Sequence, residues 1–124
     1  MLAIDKQYYV MYNIMQRVVI MKTQMKKGIL EIFVLGVLNR GDSYGYKIVQ
    51  DLTPILEISE STLYPILRRL ELADAISTYQ VEHNGRLRKY YKIKAKGINQ
   101  LTEFTKEWED IKQVYDFIVG EKGK

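Results

Sequence analysis

The 124-residue sequence has no cysteine, a single histidine and no apolar run close to the length of a membrane span. Without cysteine there can be no disulfide and no thiolate metal site. One histidine cannot build a usual zinc site, and a spanning helix needs roughly 20 apolar residues in a row. We therefore expect no metal, no cofactor and no membrane partner.

Positive charge is concentrated in the middle of the chain. The net charge is +4 and the pI about 9.2, which permits a polyanionic partner without requiring one. Residues 75–97 carry six lysines and arginines against one glutamate, whereas residues 98–119 carry five carboxylates against two lysines. Hydrophobic residues make up 47% of the chain, which is typical of one small folded domain. We expect one face for an anion and an acidic helix for a protein partner.

The stretch from Ser59 to Leu72 has the pattern of a short amphipathic helix. Its apolar residues recur at helical spacing, and Ser59 is suited to cap the first turn. Ser61, Tyr64 and Arg68 then share the opposite face with Pro65. A helix laid into a nucleic-acid groove needs such hydroxyls and positive charge. A surface helix with solvated arginines is the alternative.

The residues before this stretch predict two helices and an N-terminal arm. Residues 26–39 are apolar almost all round, so a helix there must be covered on most sides. Ser43 is predicted to cap a second helix that begins at Tyr44. Residues 1–24 fit this pattern poorly and are interpreted as an over-called start or a dispensable arm. The alternative is an extra helix that packs on a dimer.

Two strand-like runs follow, Ile76–Glu82 and Leu87–Lys94, separated by a segment that contains Asn84 and Gly85. Asn-Gly between such runs is a strong hairpin signal. This turn predicts that Tyr79 pairs with Tyr90 and that Thr78 pairs with Tyr91, with Arg86 and Arg88 at or near the tip.

Residues 96–119 predict one long terminal helix, and residues 120–124 a tail. Apolar residues in the helix step alternately by three and four, which is the spacing of a dimer seam. The seam consists of Leu101, Phe104, Trp108, Ile111, Tyr115 and Ile118. We expect a homodimer through this helix.

Three motifs, in this order and spacing, resemble the PadR family of bacterial transcriptional regulators. They are residues 44–48 (YGYKI), 62–71 (TLYPILRRLE) and 85–93 (GRLRKYYKI), with Gly97 following. The resemblance implies a mostly α fold with a small β-hairpin (α+β): a winged helix-turn-helix domain over residues 25–95 and a dimerisation helix over 96–119. Three positions depart from the family pattern: Ser61 replaces a small residue, Lys94 replaces a capping threonine, and Leu87 interrupts the basic wing.

The resemblance further implies a dimeric, cytoplasmic repressor that binds double-stranded DNA. The expected DNA contacts are Ser59, Ser61, Thr62, Tyr64, Pro65, Arg68, Arg86, Arg88 and Lys89. A multidrug-responsive branch of the family has a tryptophan where Trp108 stands, so Trp108, Phe104 and Ile111 are expected either to line a pocket for a small planar apolar ligand or to pack in the dimer core. A winged-helix module for protein contact is the alternative function. An enzyme is not expected, because no nucleophile is paired with a base.

Overall fold

Four helices and one β-hairpin account for most of the residues from 23 to 120. The structure is a computed structural model that describes residues 6, 9–10, 13–14 and 23–120, with side chains in the last range from residue 28 onward. The elements in order are α1 (Thr23–Asn39), α2 (Gly45–Leu52), α3 (Glu60–Leu72), β1 (Ile76–His83), β2 (Arg86–Ile93) and α4 (Ala95–Val119). This arrangement confirms the predicted mostly α fold with a small hairpin. The predicted arm of residues 1–24 and the end of the tail lie largely outside the described residues.

Helices α1, α2 and α3 enclose the core. Its fully buried members include Leu35 and Leu38 from α1, Ile48 from α2 and Leu67 from α3. Helix α1 has a second apolar side, where side chains such as Phe33 and Val37 are only half-buried. Packing within the chain therefore covers only part of the apolar surface of α1.

The hairpin has the register that the Asn-Gly turn predicts. Tyr79 pairs with Tyr90 and Thr78 with Tyr91 in an antiparallel ladder. Asn84 and Gly85 have φ angles of 52° and 79°, as a tight turn between twisted strands requires. A two-residue turn fixes the register because every cross-strand pair is then counted from the tip.

The predicted cap of α2 by Ser43 is wrong. Helix α2 begins at Gly45 with Tyr44 at its cap position, and no side chain caps it. Ser43 instead pairs with β2: its N–H donates to the Tyr91 carbonyl at 3.2 Å, and its carbonyl accepts from the Tyr91 N–H at 2.7 Å. Strand pairing holds Ser43 in the interior at 3% exposure, where its hydroxyl has no partner among the described residues.

Helix α4 leaves the hairpin and runs back over α1. It begins at Ala95, and the side chain of Lys94 at the cap position makes no capping hydrogen bond. It ends at Val119 and is followed by Gly120, which adopts the left-handed conformation common after helices. Leu101 and Phe104 are half-buried, but most later side chains are exposed. None of the helices in the described part of the chain combines the length and hydropathy of a membrane span.

Candidate nucleic-acid interface

Hydroxyl groups cluster at the start of α3. The Ser59 hydroxyl accepts a hydrogen bond from the Thr62 N–H at 3.3 Å, which confirms the predicted cap. The same hydroxyl lies 2.9 Å from the Ser61 hydroxyl and 3.2 Å from that of Thr62. All three side chains are exposed. The first turn of α3 therefore presents a group of donors and acceptors to its surroundings.

Helix α3 has the two faces that its spacing predicts. Leu63, Ile66, Leu67 and Leu70 are buried, whereas Tyr64, Pro65 and Arg68 are exposed. Arg69 belongs to neither set: its Nε donates to a carboxylate oxygen of Glu31 on α1 at 2.9 Å. The two consecutive arginines thus differ in what they can do. Arg68 is available to a ligand, and Arg69 fastens α3 to α1.

Tyr64 fits against the start of α2. A Cβ atom placed on Gly45 would lie 2.4 Å from the phenol oxygen of Tyr64 and 2.9 Å from the ring carbon that carries it. The phenol therefore occupies the space that a side chain at position 45 would fill. Partial burial, with a smaller contribution from the Glu60 carboxylate, raises the pKa of Tyr64 above its usual value. Tyr64 remains a neutral hydrogen-bonding group with 45% of its surface exposed.

The β1–β2 hairpin is the wing of the domain, and it carries cations on both of its faces. Arg86 is exposed next to the turn and pairs with His83. The Arg88 guanidinium lies over the ring of Tyr44, 4.1 Å from its centroid. The Lys89 ammonium lies on the other face, 5.6 Å from the ring centroid of Tyr91. All three predicted wing cations are thus near the wing's outer half, and two of them rest on tyrosine rings.

Four residues around the wing were not predicted as site residues: Asp42, Tyr44, Tyr79 and Tyr90. The Tyr79 hydroxyl donates to the Asp42 carboxylate at 2.7 Å, and the Tyr79 and Tyr90 rings stack at 5.6 Å. This hydrogen bond is the largest cause of a raised pKa at Tyr79. The predicted pairing of Tyr79 with Tyr90 already indicated that these two rings are neighbours. The contribution of Asp42 depends on where the loop before α2 lies, which the sequence does not reveal.

The predicted dimer seam and ligand residues lie along α4. Trp108 is 45% exposed and stacks on Phe104 with ring centroids 6.4 Å apart. Both rings border an open cleft of about 880 Å³ whose other walls include Phe33 and Val37 of α1. Ile111 is exposed further along the helix and does not border this cleft. Trp108 and Phe104 are thus brought together, while Ile111 is set apart from them.

Comparison with known proteins agrees with this geometry. Residues 34–103 match the model of the transcriptional regulator PadR-like family, which includes α2, α3, the hairpin and parts of α1 and α4. This chain belongs to the PadR-like family. The assignment confirms a winged-helix transcription regulator and excludes the enzyme class.

Solved structures resemble this PadR-like chain over most of their length. A protein from Streptococcus mutans is 45% identical, with a TM-score of 0.67, and the match covers 77% of this chain and 90% of that one. A PadR-like transcription factor from Bacteroides fragilis is 37% identical, with a TM-score of 0.71, covering 77% and 95%. Among sequence relatives, an uncharacterized protein from Lysinibacillus sphaericus is 32% identical over 103 residues, or 79% of this chain and 94% of that protein.

Proposed function

We propose that this PadR-like regulator is a dimeric repressor that inserts α3 into the major groove of an operator and lays the wing on the flanking backbone. The supporting observation is a continuous surface from wing to helix. Arg88 lies over Tyr44, Tyr44 precedes Gly45, and the Tyr64 phenol fills the space beside Gly45. Cations directed at phosphates next to a helix that offers polar groups are what a duplex requires. Operator DNA as ligand implies the expected cytoplasmic location.

The proposal divides the DNA contacts between two elements. The α3 set is Ser59, Ser61, Thr62, Tyr64, Pro65 and Arg68, and the wing set is Arg86, Arg88 and Lys89. Tyr64 and Arg68 are one helical turn apart on the exposed face, so we assign them to base edges. Arg86 projects from the tip of a hairpin and is assigned to phosphates, which need only charge and reach.

Binding is tested with a duplex from the region upstream of the chain's own gene and a random duplex of equal length. Arg68→Ala should weaken binding to the upstream duplex by about 1–3 kcal/mol and relax its preference over random DNA, whereas Arg86→Ala should weaken both alike. Lys112→Ala is the control, because Lys112 lies on α4 and pairs there with Asp116 at 3.2 Å. Equal losses on both duplexes for Arg68→Ala would make Arg68 a backbone anchor only.

Salt dependence tests the electrostatic part of the proposal. A dimer that neutralises roughly 6 to 10 phosphates should lose about 10³–10⁵ in affinity between 50 and 200 mM salt, because bound counterions are released. The logarithm of the affinity is measured against the logarithm of the salt concentration. A salt-independent interaction would contradict DNA binding and favour the protein-contact module instead.

The dimer is proposed from the exposed seam of α4. Ile111, Tyr115 and Ile118 are each more than half exposed, and Phe117 beside them is 86% exposed. An apolar helix face of this length is stable when a second helix covers it. Ile111→Glu should give monomers in sedimentation equilibrium, whereas Lys112→Glu on another face should not.

A truncation gives a second test of the role of α4. Cutting the chain after Lys94 should give aggregated or unfolded protein, because the apolar side of α1 would then be uncovered. A soluble, stable monomer would contradict the proposal.

Release by a flat apolar compound is proposed from the cleft beside Trp108 and Phe104. Flat apolar molecules stack favourably on exposed aromatic rings. Because Trp108 is the only tryptophan, its fluorescence reports on this position alone. Titration with a panel of planar aromatic dyes should quench it, and the dyes that quench should also weaken DNA binding. Absence of quenching by every dye would leave Trp108 as a residue of the dimer core.

A further inference from the structure

A chain of side-chain contacts joins the wing to the loop that precedes α2. The Tyr79 hydroxyl of β1 donates to the Asp42 carboxylate at 2.7 Å. The Tyr79 ring stacks on Tyr90 of β2, with centroids 5.6 Å apart and planes 15° apart. The Tyr90 and Tyr44 rings meet edge to face with centroids 5.4 Å apart, and the Arg88 guanidinium lies over the Tyr44 ring, 4.1 Å from its centroid. We call Asp42, Tyr44, Tyr79 and Tyr90 the brace.

Backbone hydrogen bonds hold the same junction from the other side. Ser43, between the two loop members of the brace, exchanges both of its backbone hydrogen bonds with Tyr91. Lys92 adds an ion pair with Asp42 at 4.0 Å. The side chains of Arg88, Tyr90 and Lys92, at alternate positions of β2, therefore contact the loop before α2. The backbone of Tyr91 between them is hydrogen-bonded to the same loop.

A wing without such support would be poorly ordered. An isolated two-stranded hairpin is marginally stable at best, and here no third strand extends the sheet within the described residues. Arginine also has many side-chain conformations, and fixing them on binding opposes affinity. Stacking uses the flat face of the guanidinium and leaves its N–H edges able to donate to a phosphate.

We propose that the brace holds the Arg88 guanidinium ready for a DNA phosphate, so that Tyr44 is a positioning residue for DNA binding. This inference rests on the proposed function. Tyr44 acts through Arg88 and need not touch DNA itself. Loss of the Tyr44 ring should therefore weaken DNA binding only when Arg88 is present.

The test is a double-mutant cycle of Tyr44→Leu and Arg88→Ala, measured as affinity for the upstream duplex and for random DNA. Tyr44→Leu alone should weaken both by about threefold to tenfold, the size of an exposed or partly desolvated cation–π contact. It should also reduce the salt slope measurably, by at most about 1, as loss of a phosphate contact does. In the Arg88→Ala background Tyr44→Leu should cost less than about twofold, because coupled residues are not additive.

The control is Tyr46→Leu, since Tyr46 is an exposed tyrosine of α2, two residues further on, that belongs to no brace contact. It should bind both duplexes like the wild type. If Tyr44→Leu does not fold, Tyr44→Met, which also removes the ring under Arg88, takes its place in the cycle and is judged by the same criterion.

The possible failures are distinguishable. Wild-type protein that binds neither duplex would overturn the proposed function and the brace with it. Wild-type binding with additive losses in the cycle, or with an unchanged salt slope for Tyr44→Leu, would overturn the brace alone. A purely structural role would lower thermal stability and leave both the slope and the additivity untouched.

Discussion

Replacing Gly97 by alanine tests how tightly α4 is joined to the DNA-binding domain. A Cβ atom at this position would lie 2.5 Å from the carbonyl oxygen of Ala75, 2.8 Å from Cγ1 of Ile93 and 3.0 Å from Cδ2 of Leu35. Real Cβ atoms essentially never approach other atoms to within 3.0 Å, so the structure must shift. The closest neighbour is a backbone atom, and it already accepts a hydrogen bond from the Lys94 N–H at 2.9 Å.

Two opposing effects set the size of the change. Alanine is favoured over glycine inside a helix by about 1 kcal/mol. Forcing a methyl group into a packed site costs about 1–3 kcal/mol, and the upper half applies here because the carbonyl of Ala75 is held by its neighbours. The expected net effect of Gly97→Ala is a loss of about 1–2 kcal/mol in the free energy of unfolding.

The assay is urea denaturation at one fixed protein concentration, because the stability of a dimer depends on concentration. Gly28→Ala is the matched control: Gly28 also lies inside a helix, but a Cβ atom there would meet nothing within 4 Å. That variant should be neutral or gain up to about 1 kcal/mol. The reasoning is refuted if Gly97→Ala is as stable as Gly28→Ala.

Two further substitutions probe the tyrosines beside α3. Gly45→Ala should leave the urea midpoint nearly unchanged, because the Tyr64 phenol can swing away, yet it should weaken binding to the upstream duplex; unchanged affinity would show that the position of Tyr64 is unimportant. Burial, followed by the charges of Tyr64 and Glu71, raises the pKa of Tyr91 above its usual 10.0. The folded protein therefore keeps a proton that the unfolded chain loses above about pH 10, so stability should fall as the pH rises from there. Tyr91→Phe should lose less stability between about pH 9 and 11 than the wild type, and equal losses would contradict this assignment.

Features set by neighbouring residues could be predicted from the sequence. The hairpin register follows from Asn84 and Gly85, because a two-residue turn fixes every later pair. The buried back of α3 follows from its helical period, which also separates Arg68 from Arg69. The exposed position of Arg68 was predicted, but the Glu31 partner of Arg69 was not, because it lies 38 residues away in sequence.

Features set by distant residues could not be predicted. Serine is a common helix cap, but the backbone of Ser43 pairs with Tyr91. The cap position of α2 therefore falls one residue later, at Tyr44. A serine before a helix is compatible with both outcomes, and only the approach of β2 decides between them. The two interpretations of Trp108 are undecided for a similar reason. They differ in what covers the side of Trp108 that faces away from Phe104, and the contacts within one chain do not decide this.

Ser43 also lies between the cleft and the wing, the two surfaces that the proposed regulation must connect. Ser43 borders the cleft that also contains Phe104 and Trp108, and its backbone is paired with the wing. A compound in the cleft can change DNA affinity only by binding one arrangement of the protein better than another. The loop of residues 40–44 is the element through which such a preference would reach the wing, since it contacts the cleft on one side and β2 on the other. The proposed regulation therefore requires no change in α3 itself: a shift of the loop would alter where Arg88 is held, and with it the affinity for all DNA sequences alike.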